Sequence, residues 1–338
     1  LVNYCAATGL IHEAGKLVGL QLADQESGQA LTVRAKCIVN ATGVWVDRLR
    51  ELDGQAIGRE ASPMVAPSQG VHVVVDRSFL PTDHALLVPK TADGRVLFAV
   101  PWLGKTILGT TDTPRNDLAR EPMAFREELD FILGEASRYL SKAPTPADIR
   151  SIWVGLRPLV KPPADDGDRT QALSREHTVL VSQSGLVTVT GGKWTTYRAM
   201  AEDVLDTCYA RGLLPKRPGG VTDDLLLVGA QPSTHRISDA PGLHLYGSDA
   251  AGVRALPGGD RELGGGLTEG MVRFAARYEY ARTVEDVLAR RSRLLFLDAA
   301  LAKTLATAVA GLLEQEGQVA PRLEEFLALA DQYLTLPE

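Results

Sequence analysis

Cys37-Ile38-Val39-Asn40-Ala41-Thr42-Gly43 is a short apolar run that closes on Ala-Thr-Gly. A helical pattern follows from about Val44 to Leu52. A buried strand feeding a helix is the repeating unit of an α/β layer. Glycine at its end has no side chain, so another backbone or a ligand can come close. In α/β sheets ligands sit at the carboxyl ends of strands. A plain strand-to-helix turn uses the same residues, and the motif alone leaves both readings open.

Outward from this strand, Leu17 to Ala23 and Leu31 to Asn40 read as strands around a turn at Gly28. Leu1 to Ala7 is apolar and strand-like from the first residue, which reads as the inside of a longer, N-terminally truncated chain. After a Gly/Pro-punctuated loop (Gly54 to Ser68) come short strands at Val71–Val75, Ala85–Val88, Val96–Val100 and Thr106–Gly109, the spacing of an antiparallel sheet. The spacing predicts a helix over Phe125–Leu140, then strands at Ile152–Leu156, Val179–Ser182 and Leu186–Thr190. Between them Lys161 to Gln171 reads as a solvated, aspartate-rich loop. A helix is expected from Lys193 to Tyr209, and Gly212 to Gly220 reads as a linker. Beyond it the pattern is helical: Leu267–Tyr280, Thr283–Arg291, Asp298–Glu316 and Arg322–Leu334.

The 338 residues suit about two domains. A formal net charge of −6 argues against a nucleic-acid partner, which calls for a basic surface. Cys5, Cys37 and Cys208 are far apart and form no CxxC pair, so neither a disulfide framework nor a zinc site is expected. His12, His84, His177, His235 and His244 share no metal-ligand spacing and read as loop or surface residues. No apolar run is long enough to span a bilayer.

Four further motifs carry chemistry. Gly191-Gly192-Lys193-Trp194-Thr195-Thr196-Tyr197 joins a strand to a helix start, where free amides and a cation suit an anion. It is not a Walker loop. Arg157, in Gly155-Leu156-Arg157-Pro158-Leu159, is flanked by apolar residues and needs an anionic partner, either a ligand or a carboxylate, one option being the helical domain. His72 faces opposite to Val71 and Val73 and is either a structural histidine or a base. Gly109-Thr110-Thr111-Asp112-Thr113 is a turn held by Asp112 or the wall of a polar pocket. No GxGxxG occurs, and Gly264-Gly265-Gly266 reads as a loop with no strand before it.

In order, NATG (40–43), SQGVHVVV (68–75), Pro101-Trp102, GTTDT (109–113), GLRPL (155–159) and GGKWTTYRAMAED (191–203) resemble the signatures of the FAD-dependent glycerol-3-phosphate dehydrogenases. The similarity continues at EDVLARRSRL (285–294). The resemblance implies a fold of class α/β plus α. An amino-acid-oxidase-like FAD domain without its N-terminal βαβ unit occupies 1–211, with 1–54 and 151–211 on the FAD side. Residues 55–150 are mainly an antiparallel substrate-binding sheet, and 212–338 form a C-terminal helical domain.

The activity it implies is oxidation of sn-glycerol 3-phosphate to dihydroxyacetone phosphate, with hydride passing to FAD and electrons to a membrane quinone. It implies catalytic roles for His72, Arg157 and Lys193, which can be permuted. Ala41, Thr42, Gly43, Gly191, Gly192, Lys193, Trp194 and Thr195 would hold FAD. His72, Thr110, Thr111, Arg157 and Lys193 would meet substrate, and no metal is called for. The implied location is cytoplasmic and peripheral on the inner membrane, mitochondrial in a eukaryote. A homodimer is compatible with it. Arg282, Arg290, Arg291 and Arg293 are a candidate membrane contact or an ordinary solvated or domain-interface face. Two alternatives stay open: an oxidase using oxygen, and a fragment without catalytic competence because the GxGxxG unit is absent.

Overall fold

The computed structural model describes residues 1–91, 94–161 and 176–338. The loop expected from Lys161 to Gln171 lies outside the described residues from 162 onward. In chain order the elements begin with β1 (Cys5–Glu13), β2 (Lys16–Asp24), β3 (Ala30–Arg34), β4 (Ile38–Asn40), α1 (Val46–Ala56), β5 (Val65–Asp76), β6 (Leu86–Val88), β7 (Leu97–Trp102), β8 (Lys105–Gly109), β9 (Thr113–Pro114) and α2 (Arg126–Tyr139). There follow β10 (Ser151–Val160), β11 (His177–Val181), β12 (Leu186–Gly191), α3 (Tyr197–Ala210), α4 (Ala250–Arg254), β13 (Glu262–Gly264), β14 (Leu267–Thr268), α5 (Glu269–Tyr278), α6 (Leu294–Leu297), α7 (Ala299–Gln315) and α8 (Leu323–Leu334). Among the described residues no helix is long and apolar enough to cross a membrane.

The chain packs as two units. The first comprises Leu1–Gln69, Asp112–Arg120 and Leu156–Leu225. Its antiparallel sheet has the order β1-β2-β3, with Ala14 and Gly15 both at positive φ in the tight β1–β2 turn. The single strand expected over Leu31–Asn40 is two strands in different sheets. β3 is exposed along its whole length, whereas β4 buries Ile38 and Asn40 and runs parallel to β12. His12 is not a loop residue. It lies in β1 and donates from Nε2 to the buried Asp53 carboxylate at 2.8 Å, and the Ser184 hydroxyl donates to the same oxygen. A carboxylate at this depth needs such donors. His177 likewise lies in β11, 2.6 Å from Asp203.

The second unit comprises Gly70–Thr111, Glu121–Gly155 and Leu226–Glu338. Its sheet has the order β10-β5-β8-β7-β6. Val71, Val73 and Val75 pack with Leu129, Ile132, Leu133 and Ala136 of α2, which leaves His72 and Val74 on the other face. Residues 226–338 pack in the same unit as this sheet. The reason is a seam of bonds. The Ser151 hydroxyl donates to the Leu295 carbonyl, Ala299 N–H donates to the Arg150 carbonyl, and Leu103 N–H donates to the Ile237 carbonyl. Lys105 reaches both Asp76 and Asp298, and Tyr333 donates to Glu121.

The helical core gathers α5, α7 and α8. Within it the segment expected as a helix over Thr283–Arg291 is a π-helical turn, Asp286–Arg291, and the helix expected from Leu267 starts at Glu269. A strand, β13, does precede Gly265-Gly266, which turn it into β14. Arg290 pairs with Glu285 and Asp286, and Arg291 donates to the Glu279 carbonyl, so both are tied into their own unit.

Asp76 supplies a pH-dependent part of this seam. The Arg150 guanidinium, then the Lys105 ammonium, hold its carboxyl down at about 2. An unfolded aspartate titrates near 3.9. The lowered folded value stabilises the unit above about pH 4 and is lost as pH falls from there towards 2. The site is partly open to water, so the effect is screened and modest. Asp76→Asn should therefore lower the urea midpoint at pH 7, and the difference from the native chain should narrow on going from pH 4 to pH 2.5.

Candidate functional site

In the first unit, β4 and β12 pair in parallel through Leu186↔Ile38, Val187↔Val39 and Thr188↔Asn40, so their carboxyl ends share one edge. Each strand leaves that edge into a helical turn, Gly43–Trp45 before α1 and Trp194–Thr196 before α3. Asn40 fixes the first exit. It is fully buried, and its amide donates to the Val46 carbonyl at 2.9 Å while the Thr42 hydroxyl donates to its oxygen at 2.8 Å. The Thr190 hydroxyl donates to the Gly43 carbonyl at 3.4 Å, linking the two exits. Ala41 and Thr42 are exposed at this edge.

The glycines here answer to different constraints. Gly43 has φ +62°, and a Cβ would meet nothing within 4 Å, so the space above it is open. Gly191 has φ +76°, and a Cβ would lie 2.7 Å from the Glu176 carbonyl oxygen. Gly192 has φ +75°, and its Cβ would lie 2.7 Å from Met200 Sδ. Lys193 and Thr195 are exposed. Trp194 is 87% exposed and stacks loosely on Tyr197, with ring centroids 5.7 Å apart.

Beside this edge a hollow of about 580 Å³ is lined by Arg157, Gly191, Gly192, Lys193, Trp194 and Met200, with Leu156, Pro158 and Leu159 along its wall. Sequence spacing alone did not bring Arg157 next to Lys193; the fold does. Arg157 lies 3.9 Å from the Asp112 carboxylate, an anionic partner of the kind its sequence setting calls for. Asp112 in turn accepts from the Ser68 hydroxyl. Two cations above an apolar wall, with a helical turn opening towards them, suit a flat apolar ring with an anionic edge or a phosphate.

In the second unit His72 is paired in register with Gly109 of the GTTDT motif. A Cβ on Gly109 would lie 2.6 Å from His72 Cδ2, so the imidazole occupies the place a side chain would take. Trp153 stacks on the imidazole at 4.2 Å and 18°, and Phe98 leans against it at 5.7 Å. Thr110 is half-buried. Thr111 is buried, and its hydroxyl donates to Glu128 at 2.8 Å and accepts the Val71 N–H at 3.0 Å. Trp153 was missed by motif reading. Its signal was an aromatic on the strand that carries the GLRPL motif.

A sequence profile described as FAD dependent oxidoreductase matches residues 1–198. The chain belongs to that family. A second profile, the C-terminal domain of alpha-glycerophosphate oxidase, matches residues 221–321 of this oxidoreductase. The mitochondrial glycerol-3-phosphate dehydrogenase of Arabidopsis thaliana is 34% identical over 99% of this chain and 58% of its own length. The mitochondrial enzyme of the same name in Homo sapiens is 36% identical over 93% and 46%. The chain thus spans about half the length of the curated relatives it matches. The crystal structure of a glycerol-3-phosphate dehydrogenase from Bacillus halodurans, complexed with FAD, superposes with a TM-score of 0.77 at 28% identity. That match covers 98% of this chain and 68% of the other. These are the relatives the motifs resemble.

The two kinds of glycine separate in a mutational test. A left-handed φ costs a non-glycine residue about 1–2 kcal/mol. Gly43→Ala should show only that loss, whereas Gly191→Ala should exceed it, because the Glu176 carbonyl must also move. Urea unfolding of the two variants measures the ranking.

Proposed function

We propose that this oxidoreductase acts on sn-glycerol 3-phosphate and yields dihydroxyacetone phosphate, with FAD as its cofactor. The observation that carries this reading is the carboxyl edge of β4 and β12, where Gly43, Gly191, Gly192 and the Arg157–Lys193 hollow lie together. The match to glycerol-3-phosphate dehydrogenases over nearly the whole chain supports the substrate. Open space over Gly43 and the apolar wall of Leu156, Pro158, Leu159 and Met200 fit the flavin. Ala41, Thr42, Gly43, Gly191, Gly192, Lys193, Trp194 and Thr195 would hold it.

When bound, FAD supplies the acceptor for the hydride that leaves C2. His72 takes the proton from the C2 hydroxyl oxygen and holds it as imidazolium. Arg157 meets the phosphate through its planar fork, which matches an oxyanion two bonds at a time. Lys193 adds a second positive charge beside it and, with the turn that starts there, favours negative charge at that edge. Thr110 borders the substrate, and Thr111 supports it by fixing Glu128 and the Val71 N–H. The functional division of the chain is 1–211 for flavin and substrate and 212–338 as the helical domain. Electrons leave to a membrane quinone, with the protein peripheral on the inner membrane, as the resemblance of its motifs implies; the relatives named above are mitochondrial. A homodimer fits this setting. The oxygen-using alternative draws on the alpha-glycerophosphate oxidase profile over 221–321.

The test is an absorbance spectrum of the chain incubated with FAD, desalted and then given glycerol 3-phosphate. Retained flavin absorbance that bleaches with substrate is expected. Retention without bleaching would overturn the reaction, and no retention would overturn FAD binding by these residues. His72→Gln should slow bleaching by about 10²–10⁴-fold with flavin retained. Arg157→Ala should raise the glycerol 3-phosphate concentration needed for bleaching by about 10–100-fold, as for loss of a charge-assisted phosphate contact. Peroxide formed in air without quinone would favour the oxidase.

A further inference from the structure

Trp153 stands out among the residues that no motif marks. It lies in β10, and its ring is stacked nearly parallel on His72 at 4.2 Å. Its own indole is backed edge-on by Phe296 of α6 at 5.6 Å, and Phe296 in turn by Tyr333 of α8 at 5.6 Å. Tyr333 is anchored by its hydrogen bond to Glu121 at 3.1 Å. A row of rings thus runs from the helical core to His72, all within one packed unit. On the other side Phe98 and the bare Cα of Gly109 bound the imidazole. The indole N–H is buried and donates to no described protein atom, so the ring is held by its faces and edges rather than by a polar tether.

We propose that Trp153 is the positioning residue for His72, resting on the reading of His72 as the base. Two physical effects follow from a stacked indole. First, it fixes the imidazole plane, so that the nitrogen lone pair is presented in one direction before substrate arrives. Second, an aromatic face attracts positive charge, and it does so most where water is excluded. The imidazole is neutral before it accepts the hydroxyl proton and positive afterwards. The attraction therefore grows as the proton transfers, which lowers the barrier without tightening substrate binding. Such an interaction belongs to kcat and leaves KM nearly unchanged.

The test joins a spectroscopic reading of the geometry to kinetics. In histidine-selectively labelled chain, assigned through His72→Gln, the His72 ring protons should resonate upfield because they lie over the indole face. Trp153→Leu should return them downfield, and Trp153→Phe should leave part of the shift. In the FAD-loaded chain Trp153→Leu should lower kcat by about tenfold with KM within about twofold, and Trp153→Phe should restore most of it. Unshifted His72 protons in Trp153→Leu would overturn the proposal. So would unchanged kcat in that variant while His72→Gln is inactive, and this outcome leaves the reading of His72 as base intact. Full activity in His72→Gln would instead sink the functional reading, and the role of Trp153 with it. Equal losses in the Leu and Phe variants, with the ring-current shift kept in Phe, would mark a purely structural residue and overturn the proposal.

Discussion

The parallel register of β4 on β12 is the constraint from which the first unit takes its form. Three residue pairs set it, and the buried Asn40 amide reaches across it to the Thr188 hydroxyl at 3.5 Å, while its bonds to the Val46 carbonyl and the Thr42 hydroxyl shape the exit of β4. A buried side-chain amide left without partners costs about 1–3 kcal/mol, and a one-residue slip would turn Ile38 and Asn40 to the opposite face, so the register is specified. Because the strands are parallel, both chain exits fall on the same edge. Gly43 and Gly191-Gly192 are then neighbours in space although about 150 residues separate them in sequence.

The second unit solves a different problem: how to hold one imidazole among the valines of β5. Val71, Val73 and Val75 commit one face of β5 to α2, which decides the face His72 must take. Gly109 leaves room for its ring, and Trp153 covers it. The helical residues after 226 serve this arrangement, since Phe296 and Tyr333 back the indole and the Ser151–Leu295 and Arg150–Ala299 bonds hold β10 against them. The helical region is therefore part of the support of the sheet, not an appendage.

Much of this was legible from local pattern. Alternation in Val71–Val75 gave both the strand and the side on which His72 stands. The turn glycines announced the exits of β4 and β12. What local pattern misread depended on partners distant in the chain. His12 looked like a loop residue because nothing near it in sequence reveals Asp53 and Ser184. Leu31–Asn40 looked like one strand because β-branched residues continue through it, yet β3 pairs with β2 while β4 pairs with β12. For Arg157 the local pattern asked for an anion, ligand or carboxylate, without saying where it would come from. The fold puts it in a hollow with Lys193, 3.9 Å from the Asp112 carboxylate.

The sequence by itself determined the order of strands and helices, the positions that require glycine and the family to which the chain belongs. These follow from backbone sterics, side-chain period and motif order, which are local properties. Only the tertiary structure decided which motifs meet. It brought Arg157 to Lys193, set Trp153 on His72 and joined residues 226–338 to the sheet. Those outcomes depend on strand register and on bonds between residues tens to hundreds of positions apart, and no local pattern carries that information.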